Sequence, residues 1–108
     1  MTTLSTHILD ISTGQPAGGV ALRLEQGEQV IASGLTNANG RLGDFAPAPL
    51  PPGRYRLVAE TGDWFAARGL ETPFPCAQID FVIPAAADDH YHLPFLIAPG
   101  GWSTYRGS

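Results

Sequence analysis

The chain has 108 residues, of which 44% are hydrophobic and 15% charged, with a net charge of −4. That size and balance fit one domain, residues 1–108, with a core of its own, and they exclude a disordered tail. All six basic residues are arginine, which excludes lysine-dependent Schiff-base or Walker-type phosphate chemistry, and no basic stripe suited to nucleic acid is present. Gly 13 and Pro 10 are more than a helical bundle tolerates and point to short strands joined by many turns.

In chain order, strands are predicted over Leu4–Ile11, Val20–Glu25, Gln29–Thr36, Arg54–Glu60, Ala77–Ile83, His90–Ile97 and Trp102–Tyr105. Turn signals such as Thr13-Gly14-Gln15-Pro16, Ala38-Asn39-Gly40, Pro51-Pro52-Gly53 and Pro99-Gly100-Gly101 separate them. The segment Asp63–Leu70 reads instead as a short helix, capped by Thr61 or Asp63 and ended by Gly69. The expected architecture is a small antiparallel β-sandwich with one short helix. No basic leader followed by an apolar run is visible, no stretch approaches ~18 apolar residues, and Cys76 has no partner for a disulfide. These features point to a reducing, cytoplasmic setting. Cys76 itself reads as a small buried hydrophobe.

The candidate chemistry centres on histidine. His90 and His92 are two apart in a predicted strand and so share a face. With a third ligand from His7, Asp88 or Asp89, that pair would suit zinc; without one, imidazole is the natural general base near neutrality. Arg41 follows the Asn39-Gly40 turn and reads, on its own, as a solvated loop charge.

Several segments together resemble the transthyretin-related proteins. The opening Leu4-Ser5-Thr6-His7-Ile8-Leu9-Asp10 and Thr13-Gly14-Gln15-Pro16-Ala17 resemble that family's start. The tail Tyr105-Arg106-Gly107-Ser108 is similar to the terminal signature of its enzymatic branch, the 5-hydroxyisourate hydrolases. Asn39-Gly40-Arg41, Gly53-Arg54-Tyr55, Thr61-Gly62-Asp63-Trp64-Phe65, Phe74-Pro75 and His90-Tyr91-His92-Leu93-Pro94 follow in the family's order. Asn39 stands where aspartate is commoner, and Trp102 where tyrosine is frequent.

The resemblance implies an all-β, transthyretin-like sandwich of two four-stranded sheets and one short helix. It implies hydrolysis of 5-hydroxyisourate to 2-oxo-4-hydroxy-4-carboxy-5-ureidoimidazoline in urate breakdown, without metal or other cofactor. It implies a homotetramer, a dimer of dimers, with sites at the dimer–dimer contact. Carried over by motif, His7, Arg41, His92 and Ser108 are the catalytic residues, and His7, Arg41, Tyr105, Arg106 and Gly107 bind substrate; His90 has the weaker claim. A neutral imidazole, His7 or His92, would activate water, and the Arg41 guanidinium would stabilise the developing oxyanion. The alternative is a transthyretin-like carrier that binds a small ligand without turning it over.

Overall fold

Alternation of apolar and polar residues builds both layers of the sandwich. The computed structural model describes residues 1–107, so the role expected of Ser108 lies outside the described residues. In chain order the elements are β1 (Thr3–Asp10), β2 (Gln15–Pro16), β3 (Ala21–Gln26), β4 (Gln29–Leu35), β5 (Arg41–Leu42), β6 (Gly53–Ala59), α1 (Thr61–Ala66), β7 (Ala77–Ile83), β8 (His90–His92), β9 (Phe95–Ala98) and β10 (Gly101–Thr104).

One sheet is antiparallel throughout, in the order β4-β3-β6-β7. Its inward side chains are Leu22, Leu24, Tyr55, Leu57, Ile79 and Ile83, all buried. The other sheet runs β10-β9-β1-β2, with β5 and β8 also paired to β1. The short strands β8 and β9 lie along one side of β1 and β5 and β2 along the other, so this layer too has four strand positions. Unlike its outer pairings, the contact of β1 with β8 and β9 is parallel. Leu4, Ile8, Tyr91, Phe95 and Ile97 face inward from this layer and meet the first in one core.

The expected sandwich with one short helix is therefore what forms, with local differences. The single strand predicted over His90–Ile97 breaks at Leu93-Pro94, because proline has no N–H to give the ladder. β1 alternates without a fault, although its sequence reads unevenly. Thr6 and Asp10 occupy buried positions and are satisfied there: the Thr6 hydroxyl donates to the Leu93 carbonyl at 2.7 Å, and Asp10 accepts from the Ser12 backbone N–H at 3.0 Å.

Neither Thr61 nor Asp63 caps the helix. The capping position is Glu60, and no side chain bonds there. The helix start instead docks on Pro75: the Gly62 N–H donates to the Pro75 carbonyl at 3.1 Å, and a Cβ on Gly62 would lie 2.7 Å from that oxygen. The helix covers Thr61–Ala66 rather than Asp63–Leu70, and Gly69 closes the turn that follows it instead of the helix itself. Gly69, at φ 73°, and Leu70 donate back to the Ala66 and Phe65 carbonyls, the pattern of a Schellman turn. Phe65 and Trp64 are buried against the sheets, with the Trp64 indole N–H donating to the Gly18 carbonyl at 2.9 Å.

Candidate active site

The outer face of β1 carries Thr3, Ser5 and His7, the residues that alternate with its buried ones. β5 lies antiparallel beside it with Arg41 opposite His7. β8 lies parallel on its other side with His90 opposite Thr3 and His92 opposite Ser5. Side chains far apart in sequence are thereby set on one face of one sheet, turned away from the core. His7 and His92 are partly buried; His90 and Arg41 are exposed.

The turn that presents Arg41 is fixed by Asn37. Its side-chain oxygen accepts the backbone N–H groups of Asn39 and Arg41 at 2.9 and 3.0 Å. Gly40 completes the turn at φ 73°, donates to the Asn37 carbonyl at 2.8 Å and accepts the Ile8 N–H at 2.7 Å. A Cβ there would come within 2.4 Å of the Ile8 carbonyl oxygen, so glycine is required on steric and torsional grounds alike. Arg41 is thus not a free loop charge but is held in register against β1.

Beyond β10 the chain turns back, and Gly107 forms an isolated bridge with His92, its N–H donating to the His92 carbonyl at 2.7 Å. A Cβ on Gly107 would stand 2.6 Å from His92 Cδ2, so the backbone packs directly on the imidazole edge. The structure brings together His7, Arg41, His90, His92 and Gly107. Arg106 turns elsewhere: its guanidinium lies 4.2 Å from the centre of the Tyr91 ring and 3.8 Å from Asp89. Tyr105 is exposed.

Burial, and then the Arg41 charge, push the His7 pKa below its ordinary value, partly opposed by a hydrogen bond to the Asn39 backbone. His92 is lowered by burial, then by Arg41, His7 and His90. Both imidazoles therefore stay neutral to lower pH than a free histidine, the state a general base needs. Among the described residues no three His, Cys, Asp or Glu side chains gather as a metal site would require, so the zinc arrangement is not assembled. Sequence reasoning passed over Asn37 and the hydroxyls of Thr3 and Ser5. The i, i+2 spacing of Thr3, Ser5 and His7 on one strand was the available signal.

Residues 4–107 match the profile of the HIUase/Transthyretin family. The chain belongs to that family. Its curated relatives include the 5-hydroxyisourate hydrolase of Pseudomonas aeruginosa, 43% identical over 115 residues that cover 97% of this chain and 90% of the relative. Among solved structures, Klebsiella pneumoniae 5-hydroxyisourate hydrolase is 64% identical, covers 100% of both chains and superposes with a TM-score of 0.93. The family also includes transthyretin: that of sea bream, solved in complex with thyroxine, is 30% identical, with coverage of 97% and 94% and a TM-score of 0.91. The fold is thus common to both branches of the family. A groove of about 850 Å³ beside the helix, lined by Asp63, Ala66, Leu70 and Pro75 among others, lies apart from the histidine face.

Proposed function

We infer that this protein is a 5-hydroxyisourate hydrolase that opens the six-membered ring of its substrate to 2-oxo-4-hydroxy-4-carboxy-5-ureidoimidazoline. The observation that carries this reading is the convergence of His7, Arg41 and His92 on one sheet face, with Gly107 of the tail bridged to His92. The full-length similarity to relatives named 5-hydroxyisourate hydrolase supports it. A product bearing a new carboxyl and a ureido group implies that a ring amide bond is cleaved by water. A neutral imidazole, His7 or His92, takes the proton as water adds to the carbonyl carbon. The Arg41 guanidinium stabilises the oxyanion. Collapse breaks the carbon–nitrogen bond, and the imidazolium returns the proton to the leaving nitrogen. The family's tail motif supports Tyr105 and Gly107 as substrate-binding residues and Ser108 as a catalytic one, whereas Arg106, expected to bind substrate too, is stacked on Tyr91 and turned from the face; neither metal nor cofactor takes part in the proposed step.

The proposed assembly is a homotetramer, a dimer of dimers, whose contact closes over this face. Support comes from the openness of the face in a single chain and from the partly exposed Leu9 and Leu96, paired on the same sheet. We place the protein in the cytoplasm, in keeping with the free thiol of Cys76; no helix is long and apolar enough to cross a membrane. Ultraviolet absorbance of freshly generated 5-hydroxyisourate tests the activity. The protein should accelerate its decay in proportion to enzyme added. Saturable binding with no change in decay rate would instead establish the carrier alternative, and sedimentation at a single-chain mass with full activity would overturn the tetramer.

A further inference from the structure

Four side chains on the outer face form a hydrogen-bonded line. Thr3 Oγ1 contacts His90 Nδ1; His90 Nε2 lies 2.8 Å from Ser5 Oγ; and Ser5 Oγ lies 2.8 Å from His92 Nδ1. A hydroxyl has one proton and a neutral imidazole has one N–H. Ser5 therefore cannot donate to both rings; with both histidines neutral it either donates to one ring and accepts from the other, in one of two senses, or accepts an N–H from each, which also leaves His92 protonated on Nδ1. In the first, His92 Nδ1–H donates to Ser5, Ser5 donates to His90 Nε2, and His90 Nδ1–H donates to Thr3. The lone pair of His92 is then on Nε2. In the second sense every donor is reversed, Nε2 of His92 carries the proton, and the ring has no lone pair on that side.

We propose that Ser5 is a positioning residue for the hydrolysis: its hydroxyl accepts the His92 Nδ1–H, fixing the tautomer whose Nε2 lone pair takes the proton of the attacking water, while His90 and Thr3 set the direction of the line. This rests on the hydrolase reading above and identifies His92 as the base. The backbone keeps the arrangement in place. Ser5 is directly opposite His92 and Thr3 opposite His90 in the parallel ladder, so the hydroxyls and imidazoles alternate by register. Gly107 packs on the far edge of the His92 ring, and its N–H donates to the His92 carbonyl at 2.7 Å, so the tail fills the space on the side of the ring away from Ser5.

The step balances. Water oxygen bonds to the ring carbonyl carbon and its proton goes to Nε2; the resulting imidazolium still donates from Nδ1 to Ser5. When the carbon–nitrogen bond breaks, the Nε2 proton passes to the leaving nitrogen, His92 is again neutral, and the new carboxyl group ionises to solvent. A hydroxyl is suited to this place because it orients the imidazole without adding the negative charge by which a carboxylate would raise its proton affinity.

The test combines ¹⁵N NMR of the imidazoles in the full-length protein, without substrate, with kinetics of Ser5→Ala and Ser5→Thr. The expected spectrum shows His92 protonated on Nδ1. Ser5→Ala should mix the tautomers and lower kcat about tenfold or more, the usual cost of removing a group that orients a working imidazole, with KM held within about twofold. Ser5→Thr, which keeps the hydroxyl, should restore both. A wild-type His92 protonated on Nε2 overturns the proposal. So does a Ser5→Ala variant with unchanged kcat and tautomer, or a Ser5→Thr variant as impaired as Ser5→Ala. If the wild-type protein fails to open the ring at all, the hydrolase reading fails on its own, since the spectrum decides the tautomer independently.

Discussion

His7 and Arg41 stand directly opposite each other in the antiparallel ladder of β1 and β5, a cation held beside an imidazole by backbone register. The Arg41 charge bears on His7 and on His92, in each case second to burial. Arg41→Gln should therefore do two things. It should lower kcat/KM for 5-hydroxyisourate by about 10²-fold or more, the scale of a lost oxyanion donor. It should also move the acid limb of the pH–rate profile upward, because the cation's share of the pKa depression disappears while burial remains. An acid limb that stays in place would show that the guanidinium does not bear on the base.

In the wild-type protein the sign follows from the same causes. Burial, then Arg41, hold both His7 and His92 below the ordinary 6.5. With the neutral ring as the proposed base, the rate should persist through neutrality and fall only as the pH drops through the lowered value. A kcat/KM profile whose acid midpoint lies at or above that of free histidine would contradict this.

Gly107→Ala would place a methyl group 2.6 Å from His92 Cδ2, and either the ring or the tail must yield. Misplacing a reacting group by about 1 Å costs about 10²-fold. Kinetics and thermal melting together should show a large loss of turnover and only a small change in Tm, since among the described residues the tail's contacts are few, chiefly the Arg106 stack on Tyr91 and the Gly107 bridge to His92. Deletion of residues 105–108 should behave the same way. A truncated protein with full activity would exclude the tail from the site.

Phe95 is fully buried beneath the site face, paired with Ile8 in the ladder and touching Trp102 with ring centres 6.1 Å apart. Phe95→Ala should cost about 3–5 kcal/mol of stability through lost burial and the cavity left behind. Denaturant unfolding measures it. A loss under ~1 kcal/mol would mean that the two layers repack around the gap.

The sequence by itself determined the long strands and the presence of one short helix, but not the two-residue strands Gln15–Pro16 and Arg41–Leu42, which it marks as turn or loop. Alternation across Val20–Glu25, Arg54–Glu60 and Ala77–Ile83 marked the strands of one sheet, because a residue between two layers must be apolar on one side only. Glycine and proline marked most of the turns, and the motifs from Leu4 to Ser108 carried the family. The sequence was less legible where tertiary contacts replaced local rules. Thr6 and Asp10 interrupt the apolar side of β1, yet they are buried, because the Leu93 carbonyl and Ser12 satisfy them. The helix starts without a side-chain cap because Pro75, distant in sequence, accepts an N–H from its first turn. Only the tertiary structure decided that Arg41 lies opposite His7, that Ser5 stands between His90 and His92, and that Gly107 rests on His92. Spacing along a strand fixes which side a residue faces, but ladder register between distant segments fixes what it meets.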